Sequence, residues 1–428
     1  METINTSKTG WKLKLDEILD RSRSISPDID ILVREIIDRV RDEGDEALFD
    51  LTRRFDRFDP GKEGIAFNLI EINEAASRID KGLYEALKTA AERIEAFHSR
   101  QLENSWVTTD ETGSMLGQKV TPIGSVGIYT PGGRNAFPST LLMNFIPAKI
   151  AGVKEIVVVS PTPEGRVSDA LLAAAHIAGI EKIYRIGGAQ AVAALAFGTE
   201  SIPKVDKVVG PGNVYVAHAK SILQGIIGIE AVAGPSEIVV VADSGANPKW
   251  VAIDLIAQAE HDTEASSMLI TPDKKLAGKV IELLDAEIQT IPRKAIAKES
   301  LSRHGACILT LDLNEAIDIA NLIAPEHLEL MVENPFELLG LVENAGAVFL
   351  GYHCMESIGD YIAGPNHTLP TSSTARFYSP LGVYDFVKRT SIIGMSKKAV
   401  MDLGAKAARI ARAEDLEAHA RAVDYRKR

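Results

Sequence analysis

Hydrophobic residues recur at helical spacing through much of residues 26–121. Ser26 is a candidate N-cap, and Pro27 occupies the first position of the helix that would follow. A second amphipathic stretch, "NEAASRIDKGLYEALKTAAERIEAFHSRQLE", has the same period. The apolar positions in the first stretch include Ile31, Val33, Ile36, Ile37 and Val40. We therefore predict that most of the first hundred residues are helical.

The pattern changes near Val120, where short β-branched runs begin to alternate with alanine-rich helical runs. The runs "SVGIYTPGG", "EIVVVSPTP", "KIYRIGG" and "DKVVGPGN" each precede a helical segment. Uniformly apolar strands followed by helices indicate a parallel sheet that is covered on both faces. We predict one such doubly wound unit from Pro122 to Gly234. A second series extends from "SEIVVVAD" to "AGAVFLG".

These patterns predict an α/β protein with two Rossmann-like parallel-sheet domains, a helical N-terminal segment and a helical C-terminal tail. We place an N-terminal helical arm at residues 1–25 and a discontinuous first α/β domain at 26–121 and 236–381. A second Rossmann-like domain covers 122–235, and the tail covers 382–428. Ser396 is the candidate cap of the helix in the tail.

The charge balance limits the partners of this chain of 428 residues. Lys and Arg total 47 against 59 Asp and Glu, for a net charge of -12. Nucleic acids and anionic membranes require a basic surface, so we expect neither as a partner. The N-terminus lacks the apolar core of a signal peptide, and no apolar run could span a bilayer. The two cysteines, Cys307 and Cys354, cannot form a disulfide framework, which is consistent with a reducing cytoplasm.

Glycine-rich turns follow three strands of the doubly wound unit from Pro122 to Gly234. Ligands of open α/β sheets bind beyond the carboxyl ends of the strands. Here those ends carry "YTPGG", "RIGG" and "GPGN", where glycine lets a ligand approach backbone N–H groups near a helix N-terminus. However, "GPGNVY" lacks the third glycine of the dinucleotide fingerprint, and no P-loop is present. The turns alone leave open either ordinary connections or a nucleotide cleft with nonstandard contacts.

Several histidines have carboxylates close in sequence, whereas we interpret His176 as a core residue and His98 as part of a solvated helix face. Any single pair is more easily explained as ordinary polar neighbours, but several together favour a site. Imidazole with carboxylate suits a borderline cation such as zinc, or acid/base chemistry near neutral pH. The histidines concerned are His261, His327, His367 and His419.

The stretch "AQAEHD" combines amide, imidazole and carboxylate groups at the end of an apolar helical run. Gln258 and His261 are three residues apart, so they share a helix face. A metal site here would need ligands from distant segments, and His261, Asp360 and His419 meet that condition. The residues alone favour His261 with a neighbouring acid over Gln258 as the metal-binding pair.

The stretch "APEHLEL" suits acid/base chemistry. Pro325 biases Ala324 away from helical geometry. Glu326 and His327 are adjacent, and on a regular helix they would diverge by ~100°. We therefore expect them to reach different atoms of a substrate rather than to chelate one metal.

At this point the sequence resembles a known family, the L-histidinol dehydrogenases, in family order over nearly the whole chain. The resemblance implies oxidation of L-histidinol to L-histidine through L-histidinaldehyde, the last step of histidine biosynthesis. It also implies two molecules of NAD used in turn, one zinc ion per active site, and a homodimer with shared active sites. The matching segments are "GIYTPGG", "GGAQA", "GPGN", "AGPSEI", "AQAEHD", "APEHLE", "GDYIAGPNHTLPT" and "EDLEAHA".

The resemblance also implies roles for individual residues. His327 would take the proton of the alcohol, and Glu326 would activate the water that hydrates the aldehyde. The implied NAD contacts, in the second Rossmann-like domain, are Tyr129, Gln190 and Asn213. The implied zinc ligands are Gln258, His261, Asp360 and His419, the last from the dimer-forming tail of the partner subunit. The implied substrate contacts are Ser236, Gln258, His261, His327, Asp360, His367, Glu414 and His419.

The tail constrains how two of these residues can act together. Glu414 and His419 are five residues apart, which would separate them by ~140° on one ideal helix. They can serve one site only if Glu414 lies at or before the start of that helix. Asp415 stands where this family is expected to have glycine.

Other functions remain open from the residues alone. A relative in the same family could oxidise another alcohol, although the presence of His367 and Glu414 favours histidinol. A metal-dependent hydrolase would use a zinc-bound water and need no nucleotide cleft. A non-enzymatic α/β ligand-binding protein is the third alternative.

Overall fold

The computed structural model of the protein describes residues 1–19, 26–132 and 137–427. The strands are β1 (Glu2–Asn5), β2 (Ala66–Phe67), β3 (Trp106–Thr109), β4 (Met115–Pro122), β5 (Ser125–Tyr129), β6 (Glu155–Val159), β7 (Ile183–Tyr184), β8 (Lys207–Val209), β9 (Gly228–Ile229), β10 (Glu237–Ala242), β11 (Ser266–Thr271), β12 (Ala306–Leu309), β13 (His327–Met331), β14 (Ala347–Leu350) and β15 (Val387–Gly394). The helices are α1 (Trp11–Leu19), α2 (Pro27–Glu43), α3 (Asp45–Asp56), α4 (Pro60–Glu63), α5 (Leu69–Arg78), α6 (Lys81–His98), α7 (Pro138–Ala151), α8 (Asp169–Ala178), α9 (Gly188–Phe197), α10 (Val214–Leu223), α11 (Pro248–Ala259), α12 (Lys274–Glu287), α13 (Lys294–His304), α14 (Leu313–Ile323), α15 (Pro335–Leu339), α16 (Glu356–Ile358), α17 (Lys397–Ala413) and α18 (Glu417–Asp424).

Two parallel sheets form the framework, which confirms the predicted fold class. The first sheet has the order β2-β7-β6-β5-β8-β9, with β2 antiparallel to β7 and the other neighbours parallel. The second sheet has the order β1-β12-β11-β10-β13-β14 and is parallel throughout. A third, antiparallel sheet has the order β15-β4-β3.

Strand β10 explains why the parallel strands lack polar alternation. All of its residues, "EIVVVA", are buried. Ile238 and Val240 pack into one hydrophobic core with α11 and α12, whereas Val239 and Val241 pack into another with α1 and α14. Because helices cover both faces of the sheet, each strand residue meets an apolar core.

Residues 26–121 pack differently from the predicted domain assignment, which grouped them with 236–381. The buried face of α2, including Val33 and Val40, packs with the alanine-rich helix α9 against the first sheet. Strand β2 joins the edge of that sheet, and α5 and α6 pack against α8 and α7. The small side chains of α9 allow the close approach, so most of this helical segment belongs to the core of the first sheet.

The N-terminal arm was predicted to be helical, but it begins with a strand. β1 pairs in parallel with β12 at the edge of the second sheet, and Ile4 is buried. Helix α1 then packs on the same sheet through Leu15. The remainder of the arm, residues 20–25, lies outside the described residues.

The second amphipathic stretch is divided into two helices. Helix α5 ends at Arg78, and the side chain of Asp80 accepts the Leu83 N–H at 3.0 Å to cap α6. The N-cap therefore restarts the helix within an otherwise continuous apolar pattern.

The C-terminal tail contains helices, as predicted, but it also contains a strand, which follows a short 3-10 helix, Val383–Phe386. β15 pairs antiparallel with β4 over "VKRTSIIG" before α17 begins. Ser396 caps α17, as predicted, by accepting the Ala399 N–H at 3.0 Å. Glu414 follows the last residue of α17 and α18 begins at Glu417, so Glu414 and His419 do not share a helix.

The interpretations of His98 and His176 are both wrong. His98 is fully buried at the end of α6, and its Nδ1 lies 2.8 Å from Oε1 of Gln101. His176 is exposed on α8, with Nδ1 2.8 Å from Oδ1 of Asn73. None of the described helices combines the length and apolar character needed to cross a membrane.

Candidate active site

A cavity of about 220 Å³ lies between opposite edges of the two parallel sheets. On one side, Pro131, Pro211 and Glu230 follow the carboxyl ends of β5, β8 and β9. On the other, Ser236 and Glu326 precede the amino ends of β10 and β13. The second sheet therefore contributes the amino ends of its strands to the cavity, whereas the sequence predicted ligand binding beyond the carboxyl ends. Helix α11 runs back after β10, so its C-terminal end returns to this amino edge.

Most of the residues assigned to metal, substrate and catalysis line this cavity. Their sequence separation is large, and the two sheets bring them together. The predicted residues in the lining are Ser236, Gln258, His261, Glu326, His327, Asp360 and His367.

His327 is held by its Nδ1 atom. Nδ1 lies 3.0 Å from the Glu237 carbonyl oxygen and 3.1 Å from Oε1 of Gln258, and both are acceptors. The hydrogen-bond network therefore assigns the proton of the neutral ring to Nδ1. Nε2 then carries the lone pair, buried and 3.6 Å from Oδ1 of Asp360.

Glu326 and His327 are positioned by the start of a strand rather than by a helix. Ala324 has φ 51°, outside the right-handed helical region, and ends α14 before Pro325. Glu326 Oε2 accepts the Glu237 N–H at 2.9 Å and lies 3.7 Å from Nδ1 of His327. The expected divergence on a helix does not apply, but the two side chains still have separate hydrogen-bond partners.

Carboxylates dominate the electrostatics around His327. Burial opposes protonation of the ring, but Glu326, Glu356 and Asp360 overcome this and raise the pKa of His327 to about 10. Burial and the neighbouring acids raise the pKa of Glu356 to about 8. Burial also favours the neutral form of Asp360, but His327, when its ring is protonated, lowers the pKa of that carboxyl. The concentration of acidic groups favours a bound cation.

His261, Glu356 and Asp360 form a candidate metal site. One ligand atom from each lies within 4.8 Å of the others. Asp360 lies in a π-helical turn, Gly359–Ala363, that follows α16. His261 lies two residues beyond the end of α11, where part of its surface is accessible, yet desolvation still lowers the pKa of its imidazole. Glu356 was not singled out from the sequence.

Gln258 lies beside this group but is oriented towards His327. Its side chain is fully buried, Oε1 is 3.1 Å from Nδ1 of His327, and Nε2 has no hydrogen-bond partner among the described residues. An amide oxygen with imidazole and carboxylates forms an N/O donor set that suits zinc. The donor set therefore fits a divalent cation.

A second layer of acids supports the site and was also missed from the sequence. Asp254, one helical turn before Gln258, hydrogen-bonds to Glu329, which is two residues beyond His327. Glu329 Oε1 accepts the Glu356 N–H at 2.7 Å. Burial raises the pKa of Asp254 to about 6 and, with the charge of Asp254, raises the pKa of Glu329 well above its ordinary value. This layer links α11, β13 and the segment that carries Asp360.

His367 reaches the cavity from a loop. Its Nε2 lies 3.3 Å from Oγ1 of Thr140, at the start of α7. Burial lowers the pKa of His367. The neutral ring can therefore exchange hydrogen bonds with a polar ligand.

Tyr129, Gln190 and Asn213 lie at the carboxyl edge of the first sheet, in the glycine-rich turns. The Tyr129 hydroxyl accepts the Gly188 N–H at 3.1 Å, and burial raises its pKa to about 12. Asn213 caps α10 by accepting the N–H groups of Tyr215 and Val216. At Gly210, φ is 108° and a Cβ atom would lie 2.0 Å from the Tyr129 carbonyl oxygen, so only glycine fits.

Glu414 and His419 do not line the cavity of their own chain. Both are exposed on the hairpin formed by α17 and α18. Glu414 precedes α18, which satisfies the geometric condition for both to act at one site. Asp415 adopts φ 58° between the helices, the left-handed conformation that favours glycine.

Comparisons with known proteins give consistent matches. The histidinol dehydrogenase family model matches residues 19–427. The histidinol dehydrogenase of Syntrophotalea carbinolica is 48% identical over 426 residues, covering 100% of this chain and 99% of the relative. That of Aquifex aeolicus is 48% identical over 429 residues, covering 100% of both chains.

A solved structure agrees with these matches. The crystal structure of histidinol dehydrogenase from Elizabethkingia anophelis has a TM-score of 0.94 and 36% identity, and the match covers 100% of this chain and 98% of that one. The chain therefore belongs to the histidinol dehydrogenase family of oxidoreductases, which act at the final step of histidine biosynthesis.

Proposed function

We propose that the protein oxidises L-histidinol to L-histidine through L-histidinaldehyde, with NAD as the oxidant and zinc as a bound metal. The observation that carries the proposal is the position of His327, between the His261–Glu356–Asp360 group and Glu326, in a cavity that opens towards the glycine-rich turns. Family membership supports the reaction class, and this sets aside the hydrolase and the non-enzymatic binding protein.

Zinc fits the donor atoms available. Gln258, His261 and Asp360 would hold it from this chain, and Glu356 is close enough to contribute. When bound, zinc would hold and orient the imidazole and amine of the substrate. Its positive charge would also oppose protonation of His327, whose pKa is otherwise raised by the surrounding acids. A neutral His327 is the form that can act as a base.

His327 would serve both oxidations. In the first, Nε2 takes the hydroxyl proton of L-histidinol as hydride leaves the adjacent carbon for NAD, which gives the aldehyde. The hydrogen bond from Nδ1 to the Glu237 carbonyl keeps Nε2 directed to the substrate. In the second, Nε2 takes a proton from the hydrated aldehyde as a second hydride leaves the same carbon for a second NAD, which gives the carboxylic acid.

Glu326 would act between the two oxidations. Its carboxylate takes a proton from water as the water oxygen bonds to the aldehyde carbon, and the protonated His327 returns its proton to the aldehyde oxygen, which gives the hydrate and a neutral His327 for the second oxidation. One carboxylate oxygen is fixed by the Glu237 N–H, so the group is aimed without depending on the metal. The cavity walls would hold the aldehyde beside Glu326 until it is hydrated.

We further propose a homodimer in which α18 supplies His419 of the partner subunit, and the preceding turn supplies Glu414, to each cavity. Two observations support this arrangement: both residues are exposed in their own chain, and the surface near them is apolar. Ile410 is 62% exposed on α17, and Leu416, between α17 and α18, is 42% exposed. A second copy would bury such residues. The free state of Cys307 and Cys354 suits a reducing cytoplasm.

The test is formation of NADH and L-histidine from L-histidinol and NAD, before and after metal removal by a chelator. We expect activity that the chelator abolishes and added zinc restores. The variant His261→Asn should lose zinc and activity, whereas Asp262→Asn should retain both, because Asp262 lies outside the cavity lining and its Oδ1 accepts the Glu264 N–H. Absence of NADH with the zinc-loaded enzyme would refute the proposal.

A further inference from the structure

The carboxylate of Glu230 lies where the two halves of the cavity meet. It follows β9, the edge strand of the first sheet, and lines the cavity near Pro211 of the "GPGN" turn. Gly234 and Ser236, on the side of the second sheet, line the same cavity. Glu230 therefore lies between the proposed cofactor turns and the proposed catalytic residues.

One oxygen of Glu230 is fully engaged. Oε1 accepts a hydrogen bond from Nζ of Lys220 at 2.6 Å and from the Gly210 N–H at 2.8 Å. Lys220 Nζ also donates to the Gly210 carbonyl oxygen at 3.2 Å. The Lys220 side chain is 2% exposed and that of Glu230 is 9% exposed. This buried ion pair fixes the carboxylate against the backbone of the turn.

The other oxygen has no such contact. Oε2 of Glu230 is buried and has no hydrogen-bond partner among the described residues. A buried acceptor without a donor costs about 1–3 kcal/mol, so native structures rarely retain one without a purpose. Bracing the turn requires only Oε1, and this leaves Oε2 for a ligand.

The ligand group should be a neutral donor. Lys220 already balances the negative charge of Glu230, which disfavours a second cation and favours a hydroxyl or amide N–H. If hydride passes to NAD near His327, the nicotinamide riboside half of NAD must lie between that residue and Asn213. We propose that Oε2 of Glu230 accepts a hydrogen bond from a ribose hydroxyl or the carboxamide N–H of that half. This inference rests on the proposed function.

The test is NADH binding to the zinc-loaded protein, measured by fluorescence titration without turnover. Glu230→Gln keeps an oxygen for Lys220 and Gly210 but replaces Oε2 with an amide group that donates. We expect the Kd for NADH to rise about tenfold or more, from the loss of a hydrogen bond to a charged acceptor. L-histidinol binding, measured by calorimetry, should change less than about twofold, because the proposed contact of Glu230 is with the cofactor and not with the substrate.

Two controls distinguish a contact between Glu230 and the cofactor from structural support of the turn at Gly210. Glu181→Gln, at an exposed residue outside the cavity lining, should bind NADH like the wild type. If Glu230→Gln is unstable because Lys220 keeps its charge, the double variant Lys220→Met/Glu230→Gln removes that charge and should show the same weakened binding. An unchanged Kd for NADH in the folded variant would overturn the inference. Failure of the wild type to bind NADH would instead overturn the proposed function.

A cofactor analogue identifies the donor. The acetylpyridine analogue of NADH lacks the carboxamide N–H. If the carboxamide donates to Glu230, the effect of Glu230→Gln should disappear with the analogue. If a ribose hydroxyl donates, the effect should persist, and either result supports a contact with this half of the dinucleotide.

Discussion

Replacing Glu326 by Gln should separate the two oxidations. The carboxylate of Glu326 accepts the Glu237 N–H at 2.9 Å, and the amide oxygen of Gln can take over that hydrogen bond. The fold should therefore survive, whereas the ability to take a proton from water is lost. A general base contributes about 10²–10⁴-fold to rate, so hydration of the aldehyde should slow by a factor in that range.

The assay compares NADH formation from L-histidinol in a single turnover with NADH formation from added L-histidinaldehyde. Glu326→Gln should keep the rate of the first oxidation within about tenfold of wild type. Removing the charge of Glu326 lowers the pKa of His327, and a change of about one unit alters the proton affinity of the ring tenfold. The aldehyde step should fall by the larger factor. Glu326→Ala should in addition lower stability, because it leaves the buried Glu237 N–H without an acceptor, at about 1–3 kcal/mol. Equal slowing of both oxidations by Glu326→Gln would refute the assignment of water activation to this residue.

Three further predictions concern the dimer, the tail and a buried thiol. Co-expression of inactive His327→Asn and His419→Asn chains should restore about a quarter of wild-type activity, since half of the dimers are hybrids with one intact site of two; no recovery would exclude sharing of the site. Asp415→Gly should stabilise the protein by about 0.5–1 kcal/mol, because φ 58° strains a non-glycine residue, whereas Asp402→Gly within α17 should destabilise it; thermal unfolding measures both, and a lower melting temperature for Asp415→Gly would contradict the strain argument. Burial raises the pKa of the Cys307 thiol to about 11, so a thiol reagent should label this residue only after unfolding. Mass spectrometry measures the labelling, and modification of Cys307 in the folded protein at neutral pH would contradict the prediction.

The parallel sheets could be predicted because their strands are short, apolar and regularly followed by helices. Short edge strands gave no such signal: β1 buries little more than Ile4, and β15 alternates too weakly to be distinguished from the start of a helix. The packing of α2 on the first sheet also could not be predicted. An amphipathic helix shows which of its faces is buried but not which partner covers that face.

The candidate site was predictable in composition but not in layout. The clustering of histidines with carboxylates indicated His261 and His327, and the family resemblance supplied Gln258. Glu356 was missed although His353 is three residues away, because its proximity to His261 arises only from the fold. Asp254 could have been noticed, since it interrupts the apolar helix "WVAIDLIAQA" on the same face as Gln258. A single histidine on an alanine-rich helix does not show whether its side chain faces the core or the solvent, which explains the errors at His98 and His176.

The most direct test of the proposed reaction is the number of NADH molecules formed for each L-histidinol consumed by the zinc-loaded protein. Two oxidations at one site predict two NADH molecules, with L-histidine as the product and no aldehyde released into solution. A ratio of one, with L-histidinaldehyde accumulating, would contradict the roles assigned to Glu326 and His327 in the second oxidation.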